Sequence, residues 1–206
     1  MRTEIVSRNM DDLIELNSLA RALDAITELM EQPFDSYMDK PTPCPGWDVR
    51  ALIDHIVDLT VRIGAAAGIV VSDQPDATPQ QRIAATVRPI IEGWQRRGMS
   101  GTIIFRDRPL ADRTAINTLA LDLIVHGWDL ATALGRDLSI ADPHADYWLH
   151  FARTALTETV RATSGFGPPA PGYEFGVRML DRLVAFTGRD PQAWYAVERP
   201  DTAYKP

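Results

Sequence analysis

Residues that mark a buried face recur along the chain at three- and four-residue steps, the spacing that gathers side chains on one side of an α-helix. Leu13, Leu16, Ala20, Leu23, Thr27 and Met30 predict a first helix over about 10–31. Leu52, Ile56, Leu59 and Ile63 predict a second over about 48–71, with His55 at the edge of its stripe. Thr78, Pro79 and Gln81 read as the N-cap, first-turn proline and capping box of a third helix. Its apolar positions are Ile83, Val87, Ile90 and Trp94, and Pro89 inside it should kink or shorten it. A fourth helix is expected over about 111–134, closed at Gly135. A fifth opens at Asp142 and Pro143 and runs to about 163, with Trp148, Phe151, Ala155 and Thr159 on one side. A short final helix falls within "VRMLDRLVAFTG", 177–188.

Between these segments lie "QPFDSYMDKPTPCPGW", "SDQPDATPQQ" and "SGFGPPAPGYEFG", rich in proline and glycine and read as connections. "GMSGTIIFRDRPLAD" is too short and too glycine-punctuated for a helix, so "TIIF" is expected as a lone strand or extended segment. No sequence repeat and no alternation of strand with helix is present. Long amphipathic helices joined by such breaks predict an all-α bundle, a single domain over 1–195 followed by a loose tail at 196–206.

Composition narrows the function classes. At 206 residues, 45% hydrophobic and 24% charged, the chain has the balance of an ordinary globular protein. A formal net charge of -7 argues against a nucleic-acid or anionic-membrane partner. The densest basic spot, "QRRG" at 95–98, reads as a solvated helix end. "IGAAAGIVV" is too short to span a bilayer, and "MRTEIVSRNMDDLIEL" has no signal-peptide core. A lone cysteine, Cys44, excludes an internal disulfide and fits a reducing compartment. The expectation is a soluble, cytoplasmic protein without a membrane or nucleic-acid partner.

One segment breaks the pattern. "LALDLIVHGWDLATAL", 119–134, is almost wholly apolar, yet Asp122, His126 and Asp129 sit in it at steps that return to one helix face. An unpaired carboxylate in such surroundings is prohibitively unfavourable, so Asp122 needs a partner or a wet cavity. A metal ion would serve both Asp122 and His126, and His55 could supply a third ligand, leaving coordination positions open as in catalytic sites. The same spacing is also that of an ordinary helix-stabilising polar pair, and His55 could be an edge-of-core histidine. Two histidines and one carboxylate also compose the facial triad of non-haem iron oxygenases.

Three blocks add a family resemblance. "TPCPGWDVRALIDHIV" at 42–57, "ALDLIVHGWDLATALGRD" at 120–137 and "LDRLVAFTGRDPQAW" at 180–194 resemble, in order, segments of the DinB-like metal-binding bundles of actinobacteria. These are relatives of the N-terminal domain of mycothiol-dependent maleylpyruvate isomerase. The resemblance implies a four-helix bundle whose longer connection, between the second and third helices, crosses the bundle, here with one or two helices added after it. It implies His55, Asp122 and His126 as metal ligands and Asp129 as a functional acidic residue near the metal, assigned here as catalytic. The isomerase commonly has Glu where this chain has Asp122, a shorter arm that leaves the preferred metal open: zinc first, with nickel or iron as alternatives.

The implied chemistry is thiol activation. In these relatives a divalent metal holds mycothiol as a thiolate, which attacks a small electrophile. The isomerase has a separate C-terminal domain for which 206 residues leave little room, so the expectation is a thiol-dependent transferase, or another isomerase, rather than maleylpyruvate isomerisation. The alternatives are a hydrolase using metal-bound water and a bundle that binds a metal or small ligand without catalysis. Expected partners are a small-molecule thiol and an electrophilic substrate, with a homodimer through outer helix faces left open. Cys44, Trp47 and Trp128 are read first as packing residues, His144 and His150 as surface or packing residues, and Arg62 as a neutraliser of Asp58.

Overall fold

Helices α1 (Arg2–Leu29), α2 (Val49–Ala66), α3 (Pro79–Arg97) and α4 (Asp112–Ala133) form a four-helix bundle in the computed structural model, which describes residues 2–31, 35–175 and 178–193. Each of α1 and α2 packs against both α3 and α4. Contacts at the helix ends give the directions. Arg82, in the first turn of α3, bonds Asp54 in the second turn of α2 at 2.8 Å. Arg97, at the far end of α3, donates to the carbonyl of Ala67, just past the end of α2, at 3.0 Å. Helices α2 and α3 are therefore parallel, and residues 67–78 must travel back along the bundle.

The other pair is parallel too. Arg113, at the start of α4, bonds Glu15 of α1 at 2.8 Å, and Arg136, just after α4, donates to the Leu29 carbonyl that ends α1 at 2.7 Å. Gln80, at the start of α3, donates to the Thr27 carbonyl near the end of α1 at 2.8 Å, so these two run oppositely. The bundle is up-down-down-up with a crossing second connection, as the resemblance implied. Asp73 pins that connection, its oxygens accepting from Arg82 Nε at 3.0 Å and Nη2 at 2.8 Å.

The expected stripes of α2 (Leu52, Ile56, Leu59, Ile63) and α3 (Ile83, Val87, Ile90, Trp94) are buried throughout. On α1 the buried face is Leu16, Leu19, Leu23 and Ile26, continued by Met30 just past its end, while Ala20 and Thr27 are half-buried. Helix α4 is buried on nearly every side because the bundle covers its inner face and α5 (Asp142–Ala155) and α7 (Met179–Phe186) pack over its outer one.

Four expectations need correction. Helix α2 ends at Ala66, short of 71, as the chain turns at Gly68 into the crossing connection. The expected fifth helix divides in two: Leu156 leaves helical geometry at φ -87°, ψ 68°, and Thr157 caps α6 (Glu158–Ser164), its hydroxyl accepting from Val160 N. "TIIF" is not alone: β1 (Thr102–Phe105) pairs with β2 (Arg108–Ala111) in an antiparallel hairpin, and Arg106 and Asp107 both take positive φ in its two-residue turn. Nor is Arg97 a solvated helix end, since its guanidinium holds the buried Asp112 at 3.0 and 3.2 Å. The tail expected at 196–206 lies outside the described residues. Among those described, no helix is long and apolar enough to cross a membrane.

Candidate functional site

The connection into α2 is locally over-determined. Trp47 N–H donates to the Cys44 carbonyl at 3.1 Å, closing a turn with Pro45 and Gly46 at its centre. Proline presets the first central position, and glycine takes the positive φ of the second, 80°, which makes it a type II turn. Thr42 Oγ1 donates to the Trp47 carbonyl at 2.9 Å and accepts from Cys44 N at 3.2 Å. Asp48 then caps α2, accepting from Ala51 N at 2.8 Å. Cys44, Trp47 and His55 are thus carried on one braced stretch, with the half-buried Trp47 ring centred 4.6 Å from that of His55 and 5.9 Å from that of His126.

Helix α4 presents the facing groups. His55 Nε2 lies 3.3 Å from Asp122 Oδ1, and His126 Nε2 lies 3.6 Å from the same oxygen. The other nitrogen of His126, Nδ1, is 2.9 Å from Asp129 Oδ2. The His55 side chain is 25% exposed and the Asp129 side chain 0%, so the cluster opens to solvent on the α2 side. The donor atoms of His55, Asp122 and His126 all lie within 4.8 Å of one another. Donors bonded at about 2.0–2.1 Å to a tetrahedral zinc stand about 3.3–3.4 Å apart, close to the spacings found here.

A second cluster, Cys44, His126 and Asp129, is equally tight but already holds a cation. Arg189, beyond α7, donates from Nε to Asp129 Oδ1 at 3.2 Å and from Nη2 to Oδ2 at 2.7 Å. Asp122 has no such partner. Its Oδ2 is buried without a hydrogen bond, and no arginine or lysine among the described residues pairs with it. Asp129 thus already has a cationic partner, and Asp122 does not.

The electrostatics follow from these contacts. Burial pushes the Asp122 carboxyl up, but His126, His55 and the more distant Arg189 outweigh it and hold the group below its ordinary value. Burial acts likewise on Asp129, where Arg189 and then His126 reverse it. The Cys44 thiol, raised by burial and by the Asp129 charge, moves up to about 11 and stays protonated at neutral pH.

The fold therefore brings together His55, Asp122, His126 and Asp129, all four singled out from the sequence. Trp47 lies against the imidazoles, whereas Trp128 is buried core. Cys44 is a buried loop residue and also a neighbour of His126 and Asp129. His144 and His150 are exposed, and Arg62 pairs with Asp58. Arg189 is the residue that sequence reasoning missed. It follows the helix-ending Gly188, and nothing in its local pattern indicates a partner on α4.

Residues 19–100 match the sequence profile of the mycothiol maleylpyruvate isomerase N-terminal domain, a span that includes the 42–47 turn and His55. Two uncharacterized proteins of Mycobacterium tuberculosis, from strains CDC 1551 / Oshkosh and ATCC 25618 / H37Rv, are each 30% identical over 174 residues, covering 82% of this chain and 94% of the relative. The chain belongs to the mycothiol maleylpyruvate isomerase N-terminal domain family. That similarity to the mycobacterial proteins extends well past the profile match, which ends before Asp122, His126 and Asp129. No solved structure gives a significant match.

Proposed function

We propose that this member of the family binds one divalent metal ion, zinc before nickel or iron, through His55, Asp122 and His126, and uses it with a small-molecule thiol of the mycothiol type to transform a small electrophile. The observation that carries the reading is Asp122: a buried carboxylate with an unpartnered oxygen, flanked by two imidazole nitrogens at 3.3 and 3.6 Å. The family's association with mycothiol supports the thiol. A bound divalent cation would lower the pKa of a coordinated thiol and keep it as the nucleophilic thiolate.

The chain's own residues supply the setting. Asp129 accepts a hydrogen bond from His126 Nδ1–H, which leaves the Nε2 lone pair free to ligate a metal on the Asp122 side. With both oxygens engaged by Arg189 and no exposed surface, Asp129 is suited to orienting His126, a positioning role in place of the catalytic one expected from the sequence. Trp47 packs its ring against both imidazoles on the loop side. Cys44 remains a neutral thiol and does not compete as a nucleophile.

Elemental analysis of the purified protein beside the His126→Ala variant, each followed by mycothiol titration, tests this. About one metal per chain, lost in the variant, together with thiol binding only to the metallated form, is the expected result. Absence of stoichiometric metal after reconstitution with zinc, nickel and iron would overturn the reading.

A further inference from the structure

We infer that Arg189, 60 residues beyond Asp129 in sequence, is a positioning residue of the α4 site, its two-pronged grip on Asp129 setting the imidazole of His126. The inference rests on the metal-site reading above and extends it to a segment that contributes no donor to the cluster.

The geometry is a chain of constraints. The guanidinium meets both oxygens of Asp129, Nε on Oδ1 at 3.2 Å and Nη2 on Oδ2 at 2.7 Å, which fixes the plane of the carboxylate as well as its position. Oδ2 also lies 2.9 Å from His126 Nδ1, so the fixed carboxylate fixes the ring. The opposite ring nitrogen is then held 3.6 Å from Asp122 Oδ1. Arg189 is itself immobilised: its backbone N–H donates to the Val184 carbonyl at 3.1 Å, Nη1 to the Thr187 carbonyl at 3.3 Å, and its guanidinium lies 5.6 Å from the centre of the Phe166 ring. Its side chain is 5% exposed and that of Asp129 0%, so water cannot take over either role.

The alternative is that Arg189 only clamps the segment after α7 to the bundle. A clamp would be served by any buried charge pair, whereas positioning requires the fork. Lysine keeps the charge but offers a single point donor and cannot fix the carboxylate plane. Without any cation, Asp129 must take up a proton or turn away from a fully buried position, and His126 Nδ1 loses its fixed acceptor in either case.

Two readouts test this on the full chain: zinc affinity by chelator competition, and the hydrogen-bonded His126 Nδ1–H proton resonance of the metal-free protein. Arg189→Met is expected to lose the resonance and to weaken zinc binding by about 10–100-fold, with Arg189→Lys intermediate. A folded Arg189→Met that keeps the resonance and binds zinc within about threefold of wild type would overturn the inference. If the methionine variant does not fold, Arg189→Lys decides: a shifted resonance with weakened zinc binding supports positioning, and wild-type values for both overturn it. Wild-type protein that binds no zinc would count against the metal reading alone, and the resonance would then decide the role of Arg189.

Discussion

Asp122 and Asp129, two turns apart on one buried helix, carry the same charge in opposite surroundings: Asp129 lies in the fork of Arg189, whereas Asp122 keeps a buried oxygen without a hydrogen-bond partner. Truncating Asp129 strands the Arg189 guanidinium in the interior. Asp129→Ala is therefore expected to lower stability by about 3–5 kcal/mol, whereas Asp39→Ala, which removes the exposed partner of Arg50, should change it by less than about 1 kcal/mol. Urea unfolding of the two variants measures the contrast.

The orphaned oxygen of Asp122 predicts that a cation stabilises the fold. Zinc at about one hundred times its dissociation constant contributes about 2.7 kcal/mol to a protein that binds it only when folded. For a chain of this size that corresponds to a rise in Tm of about 5–10 °C. The rise should be absent in His126→Ala and His55→Ala, as thermal unfolding followed by circular dichroism would show.

Trp47 should report on the same event. Its ring is 4.6 Å from His55 and 5.9 Å from His126, so a paramagnetic nickel or cobalt ion held by these residues should quench its fluorescence. Trp47→Phe is expected to abolish most of the quenching while leaving metal stoichiometry unchanged. Equal quenching in the variant would place the ion elsewhere.

Acid should loosen the crossing connection. Hydrogen bonding to Arg82 holds the Asp73 carboxyl below its ordinary value, so the ionised form favours the fold. That contribution is complete above the ordinary aspartate pKa of about 3.9 and is lost as pH falls through the lowered, folded value. The Tm difference between wild type and Asp73→Asn should therefore be largest near neutral pH and narrow below about pH 4.

Gly188 leaves no room for a side chain. It has φ 95°, and a Cβ there would lie 2.6 Å from the Gly167 Cα and 2.9 Å from its nitrogen. Gly188→Ala must either move the backbone at Gly167 or displace the neighbouring Arg189. It is expected to lower stability by more than about 1 kcal/mol and to make the 165–172 segment easier to cleave with protease.

Legibility followed the range of the interaction. The stripes of α2 and α3 and the Thr78 capping box are local, and each appears where the periodicity placed it. The polar line of Asp122, His126 and Asp129 is equally local, because helix geometry alone puts the three on one face. The break at Leu156 was readable in principle, since Thr157 followed by Glu158 is a helix-start signal, but the surrounding apolar period masked it. The hairpin was not: Arg106 and Asp107 take a turn usually marked by asparagine or glycine. Arg189 was not readable for a different reason. A charge pair between α4 and the segment after α7 is fixed by tertiary packing, which leaves no mark on neighbouring residues.

The reach of that pair has a consequence during synthesis. At roughly 5–20 residues per second, the 60 residues between Asp129 and Arg189 take roughly 3–12 s to emerge. For that interval a nascent α4 carries Asp122 and Asp129 without the guanidinium that neutralises Asp129. Burying the helix early would enclose an uncompensated charge, so its insertion is favoured only once the segment after α7 is available to dock. The interior of the bundle is closed from its C-terminal side.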